Sequence, residues 1–231
     1  MDMSGGYKNN FMDDNDLKII QGVKNYMGES PVIIDVGANR GNYTDFALTL
    51  FPNAKVVLIE PNDMWIDELK RKYSDNKNID IFNTLISDHN GGETFYYFTN
   101  HNDQISSIYK RPVFHDLPMK EMTKCCATID NVISAMGYYH VDFVKVDTEG
   151  AEFKVLKGAV KSLAYKKIKF IQIEYGGTYP DAGITMKQII DFANNFGYYA
   201  YSYDKVFTEL NSQSFVEDFH YDNYLISNVA L

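Results

Sequence analysis

The 231-residue chain is poor in cysteine, arginine and tryptophan, with two Cys, three Arg and one Trp. The two cysteines, Cys125 and Cys126, are neighbours, and adjacent cysteines seldom bridge because the disulfide strains the peptide between them. They exclude a Cys-rich zinc site, and a reduced, cytoplasmic location is the expectation. No apolar run approaches the ~18–20 residues needed to span a bilayer. Residues 1–10 lack the basic start and apolar stretch of a secretory leader, so export is not expected. No Gly-Lys-Ser or Gly-Lys-Thr occurs, which removes the P-loop. Positive charge is also scarce: 22 Lys+Arg against 31 Asp+Glu leave a net charge of −9. Proteins that coat nucleic acid or adhere to anionic membranes do so with Lys and Arg, so neither partner is expected.

What is present is a core. Hydrophobic residues make up 45% of the chain and aromatics 15%, enough for one domain over residues 1–231 with no room for a second catalytic one. Leu17, Ile20, Val23 and Met27 give helical spacing over 13–27, within an N-terminal helical extension of about 30 residues. Strands are predicted over 32–36, 55–60, 79–83, 141–147, 168–174, 198–203 and 223–227. Helices are predicted over 43–50, 63–73, 128–135, 152–163 and 186–196. Alternation of this kind indicates βαβ units in an α/β, Rossmann-like, doubly wound, mostly parallel sheet of about seven strands. Between them, 93–98 is strand-like and aromatic. Residues 100–122 show no periodicity and contain Pro112 and Pro118, which suggests a small irregular insertion acting as a substrate lid.

Two stretches are dense in chemistry. In the first, an apolar strand ending at Asp35-Val36 runs into Gly37-Ala38-Asn39-Arg40-Gly41 and then a helix. Glu60 ends the next strand, 23 positions after Gly37. Glycines let such a turn approach a ligand, and an acid about 20 residues on holds ribose hydroxyls in dinucleotide-binding folds. Asn39 stands where a pyrophosphate-binding loop has its second glycine, which disfavours NAD. Three Tyr-x-x-x-Lys matches (Tyr73/Lys77, Tyr165/Lys169, Tyr201/Lys205) carry little weight among 18 tyrosines. S-adenosylmethionine has no phosphates and does not need that glycine.

In the second, the strand Phe143-Val144-Lys145-Val146 delivers Asp147 and Glu149 to a Gly150 turn, and Glu152 opens a helix. Ligands sit at the carboxyl ends of strands in open α/β sheets, so Asp147, Glu149 and the next strand's Glu174 are expected to converge there. Glu152 fits a helix cap, and Lys145, on the Asp147 side of its strand, fits a carboxylate partner.

With Asp35-Val-Gly-Ala-Asn-Arg-Gly, Glu60-Pro61, Lys145-Val-Asp147-Thr-Glu149-Gly150-Ala-Glu152 and Val155-Leu156-Lys157-Gly158, residues 31–204 resemble the FkbM family of S-adenosylmethionine-dependent methyltransferases. The resemblance implies a class I methyltransferase fold and O-methylation of sugars or polyketide-type products. It implies that Asp35, Gly37, Asn39, Gly41 and Tyr43 lie at the methionine end of the cofactor and Glu60 and Pro61 at the ribose. Ser87 and Asp88, after the third strand, would flank adenine. Ser106-Ser107 would face the cofactor and acceptor side.

Methyl transfer to an alcohol needs alignment and a base. Asp147 is the first candidate, followed by Glu149 and Glu174, with Lys145 beside them. Asp147 and Glu174 also suit a hard cation such as Mg2+ or Mn2+. His115 and His220 are alternative bases. Tyr96, Tyr97, Tyr175 and Tyr179 could stack on a sugar, although packing is the default for so common a residue. The expected partner is a small-molecule or glycan acceptor, and the expected state a monomer or homodimer. The other readings are a Rossmann-type NAD-dependent oxidoreductase and a non-catalytic cofactor-binding remnant.

Overall fold

The computed structural model describes residues 14–98, 105–110 and 118–231. Its elements are α1 (Asp14–Gly22), β1 (Val32–Val36), α2 (Asn42–Leu50), β2 (Lys55–Ile59), α3 (Asp63–Lys72) and β3 (Ile79–Phe82). There follow β4 (Leu85–Ile86), β5 (Gly91–Phe98), β6 (Met119–Ala127), α4 (Ile129–Ala135), β7 (Val141–Val146), α5 (Glu152–Lys157) and α6 (Val160–Ala164). The last are β8 (Ile168–Tyr175), α7 (Tyr179–Ala182), α8 (Met186–Asn195), β9 (Tyr199–Asp204), β10 (Val206–Glu209) and β11 (Asp222–Ser227).

Eight strands form the main sheet in the order β10-β9-β11-β8-β7-β1-β2-β3. β3, β2, β1, β7 and β8 run parallel, and β11, β9 and β10 add antiparallel pairs. The central strands are apolar on both sides because helices cover both faces. On one face Ile33, Phe143, Phe170 and Leu225 pack with Ala47, Trp65 and Leu69 of α2 and α3. On the other Ile34, Val144, Ile171 and Ile226 pack with Val155, Leu163 and Ile189 of α5, α6 and α8. Thr185 and Gln188 close a reciprocal capping box at the start of α8. No helix among the described residues is long and apolar enough to cross a membrane.

The structure departs from the sequence reading in four places. The N-terminal helix stops at Gly22, and a single 3-10 turn over Lys24–Tyr26 carries the chain on to the buried Met27. The helix expected over 152–163 breaks into α5 and α6 at Gly158, where a Cβ would lie 2.2 Å from the Ser87 carbonyl oxygen. An eighth strand, β10, folds back on β9 through Lys205, whose φ of 66° makes the tight turn. Lastly, 119–122 of the supposed irregular segment belong to β6, which pairs with β5 from Phe98↔Met119 to Gly91↔Cys126. With β4 these strands make a separate three-stranded sheet. β6 is long, with only Lys124 and Cys126 buried, so its pairing is set by β5 rather than by an apolar alternation that a reader of the sequence could see. Of the rest of the supposed lid, 105–110 and 118 are described, while 100–104 and 111–117 lie outside the described residues.

Candidate active site

The carboxyl edge of the main sheet carries two touching turns. After β1, Gly37 has φ +79°, and a Cβ there would lie 1.9 Å from the Asp147 carbonyl oxygen. Only glycine lets the first turn pass so close to the second. Asn39 also takes a left-handed conformation, φ 46°. Its N–H donates to Glu60 Oε2 at 2.7 Å, and the Asn62 N–H donates to Oε1 at 2.7 Å. Glu60 therefore clamps the glycine turn to the end of β2, with a lone pair left on each oxygen. Burial pushes its pKa up to about 7 against the pull of these two N–H groups.

Beneath the turns runs a polar row that the parallel register dictates. Asp35, Lys145 and Gln172 are neighbours on β1, β7 and β8, so their side chains share one face. Asp35 is fully buried, accepts from Thr44 Oγ1 at 2.8 Å, and lies 3.8 Å from Lys145 Nζ. Burial raises its pKa, opposed by Lys145. Lys145 Nζ donates to Asp147 Oδ2 at 2.9 Å and sits 5.4 Å from the Tyr43 ring centroid. Burial would lower the Lys145 pKa, but Asp147 and Asp35 outweigh it and raise it. Tyr43 stacks on Phe143, and its hydroxyl donates to Gln172 Oε1 at 2.8 Å. Asp35 and Tyr43 thus tie the turn to its surroundings, Asp35 through Thr44 of α2 and Tyr43 through Gln172 of β8.

One step further out, Asp147, Glu149 and Glu174 come together, with one carboxylate oxygen from each within 4.8 Å of the others. Burial, then Asp147, Glu149 and Glu152, hold the Glu174 pKa well above the ordinary carboxylate range. Glu149 has φ 55°, an uncommon backbone for a glutamate, and its carbonyl accepts from Ser107 Oγ at 2.7 Å. The small sheet so fastens the turn that carries Glu149, through Ser107 and through Leu85, Phe95 and Ile108 packed with Ala151. Glu152 Oε1 accepts from Thr148 N, Thr148 Oγ1 and Gly150 N, at 2.8, 2.9 and 3.2 Å. It braces the turn ahead of α5.

The other residues singled out from the sequence have the following surroundings. Ser87 and Asp88 follow β4 of the small sheet rather than the third strand. Ser87 is buried against Gly158, and Asp88 pairs with His89. The residue that does follow β3 is Asn83, which reaches both the Glu60 carbonyl and Lys124. Its position after a strand end, as for Glu60, was the available signal. Ser106 Oγ accepts from Phe98 N at 3.3 Å, within the small sheet. Pro61 is half-buried after Glu60. His220 is exposed, 3.8 Å from Asp218, and His115 lies outside the described residues. Tyr175 and Tyr179 are fully buried, packed edge-on at 5.0 Å, so neither offers a face to a sugar.

The strand order and the glycine turn after β1 define a Rossmann-like α/β protein whose ligand crevice lies at the carboxyl edge. Residues 35–199 match the profile of the methyltransferase FkbM domain, and the chain belongs to that family. It is 26% identical over 180 residues to the 2-O-methyltransferase NoeI of Sinorhizobium fredii, covering 72% of each protein. Its fold is similar to the methyltransferase FkbM of Methylobacillus flagellatus, with a TM-score of 0.52 at 18% identity, spanning 87% of this chain and 44% of that one. A Streptococcus mutans protein solved in complex with SAH gives a TM-score of 0.52 at 12% identity, over 94% and 99% of the two chains.

Proposed function

We propose that this methyltransferase moves a methyl group from S-adenosylmethionine to a hydroxyl of a sugar, in a glycan or nucleotide-sugar, or of a similar polyhydroxylated acceptor. The observation that carries this reading is the convergence of Asp147, Glu149 and Glu174 beside the glycine turn. The chain's relative named as a 2-O-methyltransferase supports oxygen as the acceptor atom. An intracellular protein with two free cysteines is in keeping with it.

The donor, when bound, supplies a methyl group activated on a sulfonium. The turn that follows β1 would line the donor's crevice, and the spare lone pairs of Glu60 would accept its ribose hydroxyls. Acidic groups around the crevice suit a cation. Asp147 accepts the proton from the acceptor hydroxyl as the new C–O bond forms, and Lys145 holds Asp147 in place from the buried side. A base of this kind contributes ~10²–10⁴-fold, and alignment of oxygen, methyl and sulfur ~7–11 kcal/mol. Glu174, whose pKa is held above its ordinary range by burial and the neighbouring carboxylates, stands beside Asp147 at the same edge. Asp147 and Glu174 also fit a hard divalent cation such as Mg2+ or Mn2+, which would lower the pKa of a coordinated hydroxyl.

Calorimetric titration with S-adenosylmethionine, SAH and NAD tests the cofactor. Micromolar binding of the first two, lost in Glu60→Ala, is expected; binding of NAD alone would overturn the reading. Asp147→Ala should keep cofactor binding and lose methyl transfer to p-nitrophenyl glycosides. A chelator arm separates a cation from a side-chain base, and wild-type turnover in Asp147→Ala would remove that residue from the mechanism.

A further inference from the structure

An exposed aromatic ring lies against the chain just past the end of β8, two residues beyond Glu174. Tyr221 immediately precedes β11, whose Asn223 is paired with Glu174 and whose Asp222 is paired with Tyr175. Alternation along β8 and β11 puts Tyr221 and the Cβ direction of Gly176 on the same face as Glu174 and Asn223, one step further out. The contact agrees: a Cβ on Gly176 would lie 2.4 Å from the Tyr221 ring. The ring lies against bare backbone, and 53% of the residue remains exposed.

The loop that carries Tyr221 is fastened at its base. Glu217 accepts from Met186 N and Lys187 N at the start of α8, at 3.2 and 2.8 Å, and from the Tyr175 hydroxyl at 3.1 Å. That hydroxyl in turn accepts from Phe219 N at 2.8 Å. Phe219 has φ 56°, a strained backbone for a bulky residue, held by these bonds. Tyr175 follows Glu174, so one side chain ties the position of the ring to the strand that delivers the acid.

We propose that Tyr221 is a wall of the acceptor site, packing on the C–H face of a sugar ring whose hydroxyl rim meets Asp147, Glu149 and Glu174. A pyranose has both surfaces, one apolar and one rich in donors. An aromatic face beside three carboxylates complements both. The same carboxylates repel the phosphates of a nucleic acid. The inference rests on the sugar reading above and assigns it a specificity residue.

The test measures methyl transfer to a panel of p-nitrophenyl glycosides by the wild type, Tyr221→Ala, Tyr221→Leu, Tyr221→Phe and Tyr221→Trp. Tyr165→Ala is the control, since Tyr165 is 77% exposed just before β8, at the opposite edge of the sheet. The alanine and leucine variants should raise the glycoside KM about tenfold while kcat and the S-adenosylmethionine KM stay near wild type. Phe and Trp should restore the KM, and Tyr165→Ala should leave it unchanged. Leu covers Gly176 without an aromatic face, so it carries the prediction if the alanine variant loses its melting transition. An unchanged KM in both, or no rescue by Phe and Trp, overturns the inference alone. A wild type that methylates no glycoside overturns the sugar reading and this inference with it.

Discussion

Glu152 is expected to weaken the folded protein above neutral pH, and its replacement by Gln to strengthen it. The side chain is 1% exposed; Oε1 accepts three hydrogen bonds, while Oε2 has no hydrogen-bond partner among the described residues. Burial raises its pKa from 4.5 to about 7, against the hydrogen bonds that favour the carboxylate. The folded-state value lies above the unfolded one, so the sign is a cost. Below pH 4.5 both states are protonated and nothing is lost. Between 4.5 and 7 the unfolded chain ionises first, and stability falls as pH rises. At 1.36 kcal/mol per unit, the cost reaches about 1 kcal/mol at pH 5 and about 3 kcal/mol at pH 8. Glu152→Gln keeps an Oε1 acceptor for Thr148 and Gly150 and removes the charge. Urea titrations at the two pH values should therefore show the variant gaining about 2 kcal/mol on the wild type between pH 5 and pH 8. The corresponding gain in Tm is about 4–8 °C for a domain of this size. Glu152→Ala should be destabilised at both pH values, because it leaves three donors without their acceptor. A Gln variant whose difference from wild type is flat with pH, or larger in the destabilising direction at pH 8, would refute the reasoning.

Other substitutions read other parts of the site. Lys145→Met strands the fully buried Asp35 and should cost about 3–5 kcal/mol at pH 8. The loss should shrink at pH 5, where Asp35 gains a proton more readily in the variant; equal losses at both pH values would argue against a charge role. Gly37→Ala drives a Cβ into the Asp147 carbonyl at a left-handed φ, a position costing about 1–2 kcal/mol even without the clash. Calorimetry should show no S-adenosylmethionine binding in Gly37→Ala, and undiminished affinity would mean the two turns do not shape the cofactor crevice.

The parallel core was legible because its strands are short apolar runs with a single period. The polar interruptions of those runs were legible too: Asp35, Lys145, Asp147 and Glu174 stand at odd breaks in otherwise buried strands, and each lies on or near the carboxyl edge. The small sheet was not legible. β6 buries only two of its nine residues and acquires its register from β5 across the twenty residues between the two strands. The two-residue strand that separates Ser87 and Asp88 from β3 was not legible for the same reason.

The amino-acid sequence by itself determined the order of the elements of the parallel core, the family and the glycine turn, because each depends on short runs of residues close together along the chain. Which polar groups face solvent and which face the sheet was decided only by the tertiary structure. Asp35 and Tyr43 lie in the same motif as Gly37 and Asn39, yet they bond to Thr44 and Gln172. Glu60 braces the turn before it can meet a ligand. Tyr221, distant in sequence from both motifs, comes to Gly176, two residues past Glu174, because β11 runs antiparallel to β8 and Gly176 leaves room for its ring. Strand pairing sets such neighbours, and pairing is a property of the whole sheet rather than of any window of the chain.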